Sequence, residues 1–183
     1  MIDFDSVRLD CAKAHDSVFK QADKIEAAVA LIMRSLKSGG KVLWCGNGGS
    51  AAEAQHMSAE LMVRFVKNRA PLASIALTTD TSLLTAHSND FDFETVFARQ
   101  IEALGKPSDV LIAISTSGQS VNIVKAIEQA KKQEVSVIGL FGKNTAEAVD
   151  FCDIAFWVES DKTARIQEGH TLINHLICEG LDS

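Results

Sequence analysis

Five short apolar runs recur along the chain: KVLWC (41–45), SIALT (74–78), DVLIAI (109–114), VSVIGL (135–140) and DIAFWV (153–158). They are short and apolar on both sides, so they predict strands buried on both faces. Helical spacing fills the gaps, over 50–65, near 81–87, 93–104, 121–133, near 145–149 and 163–181. Such an alternation is satisfied by an α/β fold, a five-stranded parallel sheet with helices on both faces. Residues 6–37 add one long helix or two in sequence, with Ile25, Val29, Ile32 and Leu36 at helical spacing and Gly39–Gly40 as the stop. These N-terminal helices are extra to the alternation, and additions of this kind often pack on a partner subunit. With 183 residues and no repeat or linker, the expectation is a single domain, 1–183, with 1–38 as an N-terminal helical extension.

The bulk chemistry narrows the function classes. A net charge of −6 argues against a nucleic-acid surface. No apolar run is long enough for a membrane span, and MIDFDSVRLD lacks the regions of a signal peptide. Cys11, Cys45, Cys152 and Cys178 are far apart with no CxxC pair. They read as reduced thiols in a cytoplasmic protein.

Two loops follow predicted strands and open helices. The first, Gly46-Asn47-Gly48-Gly49-Ser50-Ala51, combines close backbone approach with the free N–H groups of a helix start, a setting for an anion. It also matches a loose dinucleotide fingerprint, and equally a ligand-free tight turn. The second, Ser115-Thr116-Ser117-Gly118-Gln119-Ser120, carries four hydroxyl side chains in six residues. A single helix cap explains one of them. Four favour a monophosphate held by hydroxyls and backbone N–H groups.

His56 and Glu60 stand four residues apart, on one helix face. On the closing helix His175 lies about 80° round from Gln167, whereas His170 is about 140° from His175. If the two helices meet, within a subunit or between subunits, His56, Glu60, Gln167 and His175 make a mixed nitrogen and oxygen shell. That shell suits zinc, with nickel, iron or manganese chemically open. A His–Glu pair on a helix also serves as a plain surface hydrogen bond. His15 reads as a solvent-facing helical residue, and His87 as a loop residue or pocket lining.

Taken together, "CGNGGSAAEAQHMSAEL", "ALTTD…SND", "ISTSGQS" and "ARIQEGH…H" resemble the phosphoheptose isomerases of the sugar-isomerase (SIS) fold family, over nearly the whole chain. The resemblance implies an isomerase that converts D-sedoheptulose 7-phosphate to D-glycero-D-manno-heptose 7-phosphate by enediol proton transfer. That is the first step of ADP-heptose synthesis for the lipopolysaccharide core. It further implies a cytoplasmic homotetramer with one zinc per subunit. Carried over by motif, the metal ligands are His56, Glu60, Gln167 and His175, and the acid–base pair is Glu60 and His175. Asn47, Gly48, Gly49, Ser50, Glu60, Asn89, Asp90 and Gln167 would touch substrate. Ser115, Thr116, Ser117 and Ser120 would hold its phosphate. The chain departs from the family pattern at Ala164, where some relatives are acidic, at Gly169, where an apolar residue is usual, and in FGKNTAEA, which lacks extra glycines.

Two other readings compete. A non-catalytic SIS protein that binds the replication initiator would be expected to lose the acid–base positions, yet Glu60 and His175 are present, and a sugar-phosphate-sensing regulator would be expected to carry a DNA-binding segment, which the sequence does not show. A nicotinamide oxidoreductase would need an acidic residue about 20 positions past the glycine turn. Asp80 is the nearest candidate and lies further on.

Overall fold

The computed structural model describes residues 1–143 and 147–183. Two helices open the chain, α1 (Phe4–Phe19) and α2 (Ala22–Lys37). They are followed by β1 (Val42–Gly46), α3 (Gly49–Met62), β2 (Ser74–Ala76) and α4 (Thr81–Asp90). A 3-10 turn (Phe93–Thr95) leads into α5 (Val96–Leu104), β3 (Val110–Ser115), α6 (Val121–Lys132) and β4 (Ser136–Gly142). A second 3-10 turn (Glu147–Phe151), β5 (Ile154–Val158) and α7 (Thr163–Leu181) complete the fold. The helix expected near 145–149 begins outside the described residues; the described part is that second turn.

The sheet is parallel throughout, in the order β2-β1-β3-β4-β5. Side chains of a strand alternate between faces, and both faces here are covered. Val42, Trp44, Val110, Ile112, Leu140 and Phe156 pack with Ile32 of α2, Met57 of α3 and Ile173 of α7. Leu43, Cys45, Leu111, Ala113, Val137 and Phe141 pack with Phe97 and Ile101 of α5 and Ile127 of α6. The runs are therefore apolar without interruption because neither face is wet.

The N-terminal helices are part of this layer. Ala14, Val18, Ala28 and Ile32 are fully buried in the first core, and burying one side chain of the size of Ile32 contributes about 1.5–3 kcal/mol. The helix is interrupted at residues 20–21 between α1 and α2, and the carboxamide of Gln21 donates to the Trp157 carbonyl of β5 at 2.8 Å. Gly169 also has a packing reason: a Cβ there would meet Val158 Cγ2 at 2.5 Å, so its absence lets α7 lie directly on β5. Among the described residues, no helix is long and apolar enough to cross a membrane.

Strand β2 stops at Ala76, short of Thr78, and α4 runs past His87 to Asp90; a third boundary also differs from the periodicity. Helix α3 ends at Met62, short of Phe65, because the chain beyond is claimed by Asp182. That carboxylate accepts the N–H groups of Val66 and Lys67, both at 2.8 Å, and the Arg69 Nε at 2.7 Å. Burial opposes ionisation of Asp182, but these N–H groups and the guanidinium outweigh it and hold the carboxyl below the usual range. Burial pushes the thiols of Cys45, Cys152 and Cys178 up to about 12, which suits inert packing rather than nucleophilic chemistry.

Candidate active site

In a parallel sheet of this order the chain runs away from β1 on opposite sides, to β2 and to β3. The crevice between β1 and β3, at their carboxyl ends, is where ligands settle. The two anion-type loops flank it, Gly46–Ser50 after β1 and Ser115–Ser120 after β3. They are joined: Asn47 and Asn122 exchange side-chain amide hydrogen bonds of 2.8 and 2.9 Å. Gly48 sits at φ +55°, a conformation that favours glycine. Gly49 lies under the carboxamide of Gln167, and a Cβ there would stand 2.3 Å from Gln167 Nε2. Ser50 is buried in the first turn of α3.

The hydroxyl loop divides its labour. Ser115 is buried; its Oγ accepts the Gly118 N–H at 3.1 Å and pairs with Ser120 Oγ at 3.3 Å. These two hydroxyls shape the turn. Thr116 and Ser117 face a cavity of about 290 Å³, together with Gln119, Lys143, Ser160, Asp161 and Thr163. Sequence reasoning assigns no role to Gln119, which belongs to the loop, or to Lys143. Lys143 offered a signal, since it directly follows the strand next to the loop-bearing one.

Helices α3 and α7 meet within the chain and bring part of the expected chemistry together. His56 Nε2 is 3.3 Å from Glu60 Oε1, and its ring stands edge-on to that of His175, with centroids 5.3 Å apart. Phe65, on the loop pinned by Asp182, stacks on His175 at 5.6 Å. The far side of His56 faces Glu53, with Nδ1 3.7 Å from Oε2. Glu53 is held by Thr171 Oγ1 at 3.1 Å and Asn174 Nδ2 at 2.9 Å. It lies one turn before His56, and only its i−3 spacing could have announced it.

Other expected residues stand apart in the single chain. Gln167 is beside Gly49, about 12 Å along α7 from His175 at a helical rise of about 1.5 Å per residue. Asn89 and Asp90 are exposed at the end of α4, bonded to each other at 2.9 Å. His87 lines a separate cavity of about 300 Å³ with Phe91 and Thr95. His170 is buried and its Nε2 pairs with the Phe141 carbonyl at 3.1 Å. Asp80, the acidic residue a dinucleotide site would need, instead caps α4 by accepting the Leu83 N–H at 2.9 Å.

The donor types on the α3–α7 patch, two imidazoles and a carboxylate, are those zinc accepts. Their arrangement in one chain is not a cage. Among the described residues, no group of three or more His, Cys, Asp or Glu side chains is placed to hold a metal.

Comparison with known proteins places this geometry. A family model described as the SIS domain matches residues 11–142. The phosphoheptose isomerase of Rhodospirillum rubrum is 48% identical over 177 residues, covering 95% of this chain and 94% of the relative. The structure of the phosphoheptose isomerase from Neisseria gonorrhoeae superposes with a TM-score of 0.91 at 39% identity, covering 98% of this chain and 96% of that one. That of a phosphoheptose isomerase from Francisella tularensis gives 0.88 at 38% identity, covering 100% and 99%.

Proposed function

Because the chain belongs to the phosphoheptose isomerases, sugar-phosphate isomerases built on the SIS domain, we propose that it converts D-sedoheptulose 7-phosphate to D-glycero-D-manno-heptose 7-phosphate. This reaction opens the route to the ADP-heptose of the lipopolysaccharide core, in the cytoplasm. The observation that carries the reading is the meeting of Glu60 and His175 around His56, in a fold whose phosphate-type loop lies at the sheet's carboxyl edge.

Moving a ketose carbonyl one carbon along needs a base for a carbon-bound proton and a partner for the oxygens. Glu60, leaving its place as a metal ligand for the step, takes the proton from the first carbon and returns it to the second, through an enediol. His175 passes a proton at the sugar oxygens, its ring held by Phe65 and His56. His56 Nε2 keeps the Glu60 carboxylate aimed. Thr116 and Ser117 receive the phosphate, while Asn47, Gly48 and Gly49 hold the chain of the sugar, with Gln167 beside them. A protein that only bound a sugar phosphate or a partner would have no need of the Glu60–His175 pair.

Among the described residues, the isolated chain forms no metal cage. We propose that the assembled homotetramer binds one zinc per subunit through His56, Glu60 and His175, whose side chains would turn onto the metal once a neighbouring copy supplies Gln167 together with the glycine loop packed against it. Support comes from the distance that separates Gln167 from His175 along α7, and from exposed apolar residues such as Phe4, Leu9, Met62, Val63 and Val66. Asn89 and Asp90 would reach substrate across the same interface.

An assay with sedoheptulose 7-phosphate and product identification by NMR tests the reading. Turnover by the wild-type protein, lost on Glu60→Gln with the fold intact, is the expected result. Turnover retained by Glu60→Gln would remove Glu60 from the chemistry.

A further inference from the structure

Lys143 is the only cation among the described residues that line the cavity of the hydroxyl loop, which holds about 290 Å³. It directly follows β4, and its backbone is fixed against that loop: the Gly142 N–H donates to the Thr116 carbonyl at 3.2 Å. A Cβ on Gly142 would stand 2.5 Å from that same carbonyl oxygen, so the strand end and the loop are in close contact. Across the cavity Lys143 Nζ pairs with Asp161 Oδ2 at 2.6 Å. Both side chains are open to solvent, 38% and 66% exposed, so this pair contributes little to stability.

We propose that Lys143 is a phosphate ligand that exchanges Asp161 for the substrate's phosphate, and that it sets the preference for the dianion. The inference rests on the sugar-phosphate reading of the same loop. Hydroxyls and N–H groups recognise the shape of a phosphate but leave its charge unbalanced. An ammonium adds charge-assisted hydrogen bonds, which are roughly twice as strong as neutral ones. Asp161 keeps the flexible lysine at the cavity mouth between turnovers and competes with the incoming anion. The lysine also borders a second cavity lined by Ser17, Lys20, Gln21, Trp157 and Glu159, which leaves it room to swing between partners.

The test uses full-length protein with two probes, sedoheptulose 7-phosphate in steady-state assays and inorganic phosphate by calorimetric titration. Lys143→Met is expected to raise KM and the phosphate Kd by at least about tenfold, with the loss falling on KM rather than kcat, and Lys143→Arg to recover most of it. Because the second phosphate ionisation lies near pH 6, wild-type Kd should fall as pH rises through that point, and Lys143→Met should flatten the dependence. Asp161→Asn should tighten phosphate binding by removing the competitor. Unchanged phosphate Kd in Lys143→Met, with unchanged melting temperature, overturns the proposal, as does wild-type protein that binds no phosphate. An Asp161→Asn protein that binds phosphate no better overturns the exchange. Absence of wild-type turnover alongside a Lys143-dependent phosphate Kd would instead reject the sedoheptulose assignment and leave Lys143 in place.

Discussion

Asn47 and Asn122 hold each other by two amide hydrogen bonds, 2.8 and 2.9 Å long, across the point where the sheet order reverses. Asn47 belongs to the glycine loop and Asn122 to the first turn of α6, the helix that the hydroxyl loop opens. The clasp therefore sets the spacing between the two ends of the candidate site. Asn122 is 4% exposed, and its truncation removes both hydrogen bonds and leaves the half-buried Asn47 carboxamide without this partner. Asn122→Ala should lower stability by about 1–3 kcal/mol and raise KM more than it lowers kcat. A double-mutant cycle with Asn47→Ala, read by urea unfolding, should give a coupling of about 1 kcal/mol. Additive effects would mean that the clasp is incidental.

The separation of Gln167 from His175 along α7 makes a prediction about assembly. If each site takes Glu60 from one copy and Gln167 from another, Glu60→Gln and Gln167→Ala proteins should each be inactive alone. Co-expressed, they should regain activity up to about a quarter of wild type, the statistical share of sites with both residues intact in a closed symmetric oligomer. Sites contained within one chain would give no recovery. Zinc content of the purified co-expressed protein, measured by mass spectrometry, should rise in step with activity.

His170 supplies a pH dependence unrelated to catalysis. Burial lowers its pKa from 6.5 to about 4, only partly opposed by the hydrogen bond to the Phe141 carbonyl. The folded protein thus binds fewer protons than the unfolded chain between these values. Its stabilising contribution is complete above pH 6.5 and is lost as pH falls towards about 4. The shift corresponds to roughly 3 kcal/mol. Thermal melts should show wild-type stability falling over this range, and His170→Gln should show a flatter profile. Equal slopes in the two proteins would place the acid sensitivity elsewhere.

Much of this architecture was legible in the chain itself. The five strands follow from apolar runs that both faces of the sheet require, and the two loops from glycine and hydroxyl residues placed just after strands. Helix periodicity set His56 against Glu60 and kept His170 away from His175. What was not legible depends on tertiary contacts. Phe65 has helical spacing, yet Asp182, far away in sequence, draws it into a loop and onto His175. Glu53 reads as one more acidic residue until Thr171 and Asn174 of α7 fix it. The N-terminal helices read as an appendage because nothing in their pattern names the sheet face they cover. The placement of Gln167 was only half readable, since angular spacing gives the face of a helix but not which neighbour stands at each turn.

The most direct test of the central claim is deuterium incorporation. Sedoheptulose 7-phosphate would be converted in deuterated water and the aldose product examined by proton NMR. A carboxylate that lifts a proton from the first carbon and returns one to the second exposes it to exchange with solvent. The account predicts deuterium at the second carbon of the product from wild-type protein, and neither product nor exchange from Glu60→Gln. Conversion without any deuterium in the wild-type product, together with product formation by Glu60→Gln, would contradict proton transfer by Glu60.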